Sequence, residues 1–196
     1  QPRVRADYFT IGSAMHEGLK ARFRGGTMGD MMAAAFDVIE RDCSAFESLM
    51  ESHEWLLEYV ATMMAQYCQR RGAMREFEPL QLHMPSGEVV PGVEVEFGVV
   101  LPGGTPMTVR IDLVTTYGGH PIVPEHKTTS RDFAVFFREF SLDAKCTGYL
   151  WALRQLGDPQ VAEINKVLIN AIKKPRKNAK TLVFDFEVEV TERSED

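Results

Sequence analysis

A chain of 196 residues, 44% hydrophobic and 26% charged, has the composition of an ordinary soluble globule and enough length for a real core. Its net charge of −6 excludes binding a polyanion through bulk charge, so any nucleic acid must be held by a local basic patch or through metal. Cys43, Cys68 and Cys146 are odd in number and widely spaced, giving no disulfide framework, zinc knuckle or iron–sulfur pattern; that suits a reducing cytoplasm. No apolar run reaches membrane-spanning length and no signal peptide is visible, so no membrane partner is expected.

In chain order, Phe9–Phe23 reads as a helix with Ile11, Met15, Leu19 and Phe23 on one stripe, Thr10 as its cap and Gly25-Gly26 as its stop. His16 follows the small residues Gly12, Ser13 and Ala14, where another backbone has room to approach. A lone histidine there is a packed or surface residue as readily as a ligand. Residues 30–72 carry two further helical stripes, one through Met31, Ala35, Val38 and Ile39, the other through Trp55, Leu56, Tyr59, Met63 and Tyr67. A break is expected near Cys43-Ser44 or Ser52. Arg70, Arg71 and Arg75 form a small basic cluster that reads as a solvated face.

After Gly72 the pattern switches to strands: Phe77–Met84, the turn Pro85-Ser86-Gly87, then Val93–Leu101. Glu94 and Glu96 share one face of that strand and Val93, Val95 and Phe97 the other. Val109, Ile111 and Leu113 then alternate with Arg110, Asp112 and Val114, and Ile122 and Val123 open a return strand beyond Gly118-Gly119. If the two glycines are the whole loop, Asp112 stands opposite Glu125, and Arg110 opposite Lys127. Opposed carboxylates repel unless a cation sits between them. Lys127 is one such cation and a divalent metal another. Pro124 cannot donate to a ladder and signals an edge or a bulge. A solvated charged hairpin fits the same spacing.

Beyond the hairpin, Phe133, Phe136, Phe137 and Phe140 are expected to pack a helix on the sheet. Ser141 is expected to cap a second helix ending at Gly157, with Lys145 and Tyr149 on one face at i, i+4. Strands are expected over Ala162–Lys173 and Thr181–Val190. Between them, Lys173, Lys174, Arg176, Lys177 and Lys180 form the dense basic patch of an acidic chain, either a solvated turn or a nucleic-acid contact.

Taken in order, GSAMHEG, GVEVEF, RIDLV, PEHKTT and KCTGY resemble the motifs of the PD-(D/E)XK nucleases, in particular their RecB-like exonuclease branch, from Gly12 to about Lys173. The resemblance implies a restriction-endonuclease-like α/β core, a mixed central sheet flanked by helices, forming a single nuclease domain over 1–196 with 30–72 a helical insertion. It implies Asp112, Glu125 and Lys127 as catalytic residues and His16, Asp112 and Glu125 as ligands of Mg²⁺ or Mn²⁺. Lys145 and Tyr149 would contact DNA, and Glu94 would be an accessory carboxylate. The implied activity is metal-dependent DNA hydrolysis, as an exonuclease in recombination, repair or phage replication, in the cytoplasm of a bacterial or phage-infected cell. A homo-oligomer or a recombination partner protein is compatible with it. Val109 stands where the family has a glycine, and Lys145 where it has a glutamine. That second departure sustains an alternative, a catalytically weakened nuclease fold that binds DNA or a protein.

Overall fold

The computed structural model describes residues 6–70, 77–140, 143–175 and 180–192. Its Cα positions cluster into two compact units, Gln1–Met74 with Ile172–Phe186, and Arg75–Ala171 with Glu187–Asp196.

The first unit is helical. Its α1 (Asp7–Phe23) starts two residues before the expected Phe9, with Ala6 at the N-cap position and no side-chain cap. Thr10, expected to cap it, is instead buried, and its hydroxyl donates to Asp42 Oδ2 at 2.8 Å on α2 (Met28–Ala45). Three residues into the helix proper, a threonine satisfies a buried carboxylate better than an end already open to water. Gly25, with φ +89°, stops α1 as its sequence predicts. Thr27 then starts α2 through a reciprocal box, its hydroxyl accepting from Asp30 N while Asp30 accepts from Thr27 N. A close backbone approach is present on α1 at Gly18, where an added Cβ would lie 2.9 Å from the Met31 carbonyl oxygen. The break near Cys43–Ser52 is present: α2 gives way to α3 (Glu47–Met50) and then α4 (His53–Arg70). Gln66 on α4 holds 182–184 from both sides, donating to Leu182 O at 2.8 Å and accepting from Phe184 N at 3.0 Å. Arg71, Arg75 and Ser141, and Arg176 and Lys177 of the basic patch, lie outside the described residues.

The second unit is the α/β part. Strands β1 (Glu78–Pro79), β6 (Thr115–Tyr117), β7 (His120–Thr129), β8 (Lys166–Lys173) and β9 (Asp185–Glu192) form a five-stranded mixed sheet in the order β1-β6-β7-β8-β9. The unit boundaries fall inside β8 and β9. Two hairpins stand beside it, β2 (Gln81–His83) with β3 (Val89–Pro91), and β4 (Val93–Val100) with β5 (Pro106–Leu113). Helices α5 (Phe133–Phe140), α6 (Ala144–Arg154) and α7 (Pro159–Ala162) link β7 to β8. The strand expected from Ala162 begins at Lys166 instead, because Ala162 ends α7, which the Asp158 cap and Pro159 in its first turn start. One apolar cluster unites Val95, Ile111, Val123, Phe136, Phe137, Phe140, Leu150, Leu153 and Ile169, so strands and helices of this unit share a core. α6 is capped by Asp143, whose side chain accepts from Lys145 N at 2.7 Å. These elements give the mixed α/β, restriction-endonuclease-like architecture expected of the sequence.

The Gly118-Gly119 turn has the expected register, pairing Tyr117 with His120 and Thr115 with Ile122. The ladder stops there. In a two-residue hairpin the flanking pair is hydrogen-bonded and the pairs then alternate, so Leu113 would next require the amide hydrogen of Pro124, which does not exist. Val114 turns away instead: its N–H donates to Gly92 O at 2.7 Å, and its carbonyl accepts from Leu80 N at 3.0 Å. The strand therefore divides into β5 and β6. Asp112 is not opposite Glu125, and Arg110 is opposite Glu96, not Lys127.

Gly92 is the hinge of that arrangement, because an added Cβ would sit 2.4 Å from Val114 O and 3.1 Å from Leu80 O, both backbone atoms. Gly92→Ala is expected to cost at least about 1–3 kcal/mol, the range for forced overpacking. Urea unfolding reads it directly, and a loss below about 0.5 kcal/mol, the scale of ordinary surface substitutions, would show that the backbone there yields freely.

Candidate metal and phosphodiester site

The geometry of the second unit starts from β4 and β5. Val93 pairs with Leu113 and Val95 with Ile111, which sets Glu94 across from Asp112. A carboxylate oxygen of each lies within 4.8 Å of the other. Glu94 has φ 55°, the left-handed region that a side chain occupies only under constraint. Its side chain is 4% exposed and accepts from Arg110 Nε at 2.6 Å, with a second ion-pair contact from Arg110 Nη2. Glu94, expected as an accessory carboxylate, is thus a direct neighbour of Asp112, and Arg110 is a cation of the site that the expected register had assigned elsewhere. Pairing Val93–Val100 with Pro106–Leu113 about the intervening glycine turn would have found both.

Glu125 comes from β7 and is 2% exposed. Burial alone pushes a carboxyl up; Lys127 and Lys145 reverse this, and the Glu125 carboxyl lies below the usual carboxylate range. Lys127, two residues along the strand and on the same face, pairs with Glu125 Oε1. Lys145 donates to that same oxygen from α6 at 2.8 Å. Lys145, expected to contact DNA, is paired with Glu125 in the structure. Burial pulls its ammonium down, and the Glu125 hydrogen bond and charge outweigh that, leaving it above the ordinary lysine value. The Lys145 Nζ also sits 5.0 Å from the centre of the Tyr149 ring, so the expected shared face of α6 is present. The Tyr149 hydroxyl is raised by burial first; Lys145 opposes the rise and the charges of Glu125 and Asp112 add to it. Tyr149 therefore feels both carboxylates, although they arrive from different strand pairs.

His16 is half-buried on α1, in the first unit. Of the basic patch, Lys174 is placed over the Tyr8 ring at 5.7 Å, and burial lowers its ammonium's pKa.

Two oxygens each bound to one Mg²⁺ or Ca²⁺ at about 2.0–2.6 Å lie at most about 4–5 Å apart. The Glu94–Asp112 spacing meets that condition, and an all-carboxylate pair is the donor set of a hard divalent cation.

Glu125 also sets a dependence on pH. Its carboxyl is more acidic in the fold than in the unfolded chain, where the reference value is about 4.3. The ion pairs with Lys127 and Lys145 thus favour folding above that pH, and the contribution is lost as pH falls through the lower, folded value. Thermal melts from neutral pH down to about pH 3 are expected to show a steeper acid decline for the wild type than for Glu125→Gln, which has no proton to take up at this position. Parallel declines would mean that other carboxylates govern the acid limb.

No curated protein matches the chain. The family model of the PD-(D/E)XK nuclease superfamily matches residues 2–195, nearly its whole length, and no helix among the described residues is long and apolar enough to cross a membrane. The strand-borne Asp112 and the Glu125-x-Lys127 pair stand on the α/β architecture that this family uses, and the chain belongs to the PD-(D/E)XK nuclease superfamily.

Proposed function

We propose that the protein is a metal-dependent DNA nuclease that hydrolyses phosphodiester bonds, acting as an exonuclease in recombination, repair or phage replication. The observation that supports this most directly is the Glu94–Asp112 carboxylate pair, together with a buried Glu125 paired to Lys127, in a chain of a nuclease superfamily. The reading takes residues 1–196 as one nuclease domain, with 30–72 a helical insertion.

Asp112 and Glu94 would hold Mg²⁺ or Mn²⁺, with Glu125 and His16 as the further ligands that the resemblance implies. A histidine nitrogen would tilt the site toward Mn²⁺. A divalent ion supplies a polarised phosphoryl oxygen and a water of lowered pKa. Around it the protein's own groups do the positioning. Lys127, fixed on β7 beside Glu125, orients the attacking water or neutralises charge on the phosphate in the transition state. Tyr149 and Lys145 present one face of α6 to the DNA strand.

A second reading, a nuclease fold that binds DNA or a partner protein without cutting, is favoured by one contact. Lys145 occupies an oxygen of Glu125 that a metal would need.

The experiment is incubation of end-labelled linear and circular DNA with Mn²⁺, Mg²⁺ or EDTA. Cleavage of linear DNA with either metal and none with EDTA is expected, with circular DNA spared by an exonuclease. Asp112→Asn, Glu125→Gln and Lys127→Ala should each lower the rate by about 10²-fold or more, the scale of losing one preorganised electrostatic group. Full activity in Glu125→Gln would overturn the site assignment. DNA binding without cleavage under every metal condition would establish the second reading.

A further inference from the structure

We propose that Lys145 alternates between the Glu125 carboxylate and a DNA phosphate, and that a divalent cation on the carboxylate face shifts it to the phosphate, coupling metal binding to DNA binding. The proposal rests on the nuclease reading above. Its basis is an asymmetry between two lysines that share one oxygen. Lys127 and Lys145 both bond Oε1 of Glu125, whose side chain is 3% exposed. Lys127 stands on the same strand and face, two residues away, with its side chain 36% exposed, so it reaches the carboxylate from its own strand. Lys145 reaches in from α6, and its side chain is 47% exposed. Its long stem can swing outward by rotamer changes alone, with the helix held by Cys146, Leu150 and Leu153 in the core. The Tyr149 ring, 5.0 Å from Nζ, lines that path with a surface favourable to a cation.

Charge counting gives the direction. Glu94 pairs with Arg110, and Glu125 with Lys127 and Lys145; with Asp112 beside Glu94 these groups carry three negative and three positive charges. A divalent ion brings two further positive charges, and of the two lysines on Glu125 the one from α6, Lys145, is the more exposed, at 47% against 36%. Once off Glu125 it points to solvent from the face where the scissile strand would lie. A phosphate there holds it away from Glu125, which makes the carboxylate more available to the ion. The coupling is therefore reciprocal.

The test uses the full chain, Ca²⁺ alone as the ion, and a short labelled DNA duplex. Without DNA, Lys145→Gln and Lys145→Met should bind Ca²⁺ about two- to tenfold tighter than wild type by calorimetric titration, the effect of removing a partly exposed competing ion pair. With DNA, Ca²⁺ should steepen the wild-type dependence of log affinity on log salt by about 0.9, one added phosphate contact. That increment should vanish in both variants and persist in Lys145→Arg. Unfolding midpoints confirm that each variant is folded. Equal Ca²⁺ affinity in wild type and Lys145→Gln, no Ca²⁺ binding at all, or an unchanged salt increment in Lys145→Gln and Lys145→Met overturns the exchange. If the wild type cuts DNA with Mn²⁺ and these results are negative, the exchange fails alone. If it neither binds nor cuts DNA, the nuclease reading fails and takes the exchange with it.

Discussion

The second unit is organised by the need to keep the buried Glu125 carboxylate charged. Taking an ion out of water costs several kcal/mol unless partners compensate. At 2% exposure Glu125 has little water to rely on, yet its carboxyl is more acidic than usual. Two ammonium groups achieve that, one from its own strand and one from α6. The requirement reaches into the core. For Lys145 to arrive, α6 must lie against the sheet at a fixed rotation about its axis, and Cys146, Leu150 and Leu153 on its buried side set that rotation. The aromatic face of α5 closes the same cluster. Apolar packing thus does the positioning, and the ion pairs make the position tolerable.

Glu94 is held by the same logic with different means. A side chain at φ 55° sits in a region that costs of order 1–3 kcal/mol. The paired contacts from Arg110 and the flanking ladder of Val93 with Leu113 and Val95 with Ile111 offset that cost. Two residues earlier, Gly92 joins Leu80 to Val114 through backbone bonds that leave no room for a Cβ. Strain at Glu94 and crowding at Gly92 fall where β5 ends and β6 begins. That is the point at which the chain leaves one strand pair for the next, so the unusual backbone and the carboxylate cluster have one origin.

Much of this was legible beforehand. Period-2 alternation placed the strands around Ile111 and Phe97, helical stripes placed α1, α2 and α4, and the Gly118-Gly119 turn was read with its correct register. The motifs single out Glu94, Asp112, Glu125, Lys127, Lys145 and Tyr149 as candidates, but neither Arg110 beside Glu94 nor which carboxylate pairs with which cation. A ladder carried from Tyr117 back to Asp112 ignores that Pro124 has no amide hydrogen to continue it, and the sequence had flagged that proline without weighing its phase in the ladder. Thr10 was misjudged for a related reason. A cap preference is local, whereas its hydroxyl answers Asp42, thirty-two residues away. Local rules fixed which residues belong to strands and helices. Long-range hydrogen bonds decided which carboxylate met which cation.

The separation of Asp112 from Glu125 onto different strand pairs has a consequence for an acidic chain that must meet a polyanion. Had the two carboxylates been opposed on one ladder, a single lysine between them would have served both. As they stand, Glu94 with Asp112 and Glu125 by itself draw on three separate cations, each paired with a carboxylate although partly open to solvent. With a net charge of −6 the molecule has no long-range attraction for DNA, and at physiological salt the screening length is about 8 Å. On the proposed exchange, attraction arises within the site, from a cation that Glu125 releases. A divalent ion is the agent of matching charge and donor preference that can take its place. On this argument metal is needed to make the face receptive to phosphate before it is needed for hydrolysis.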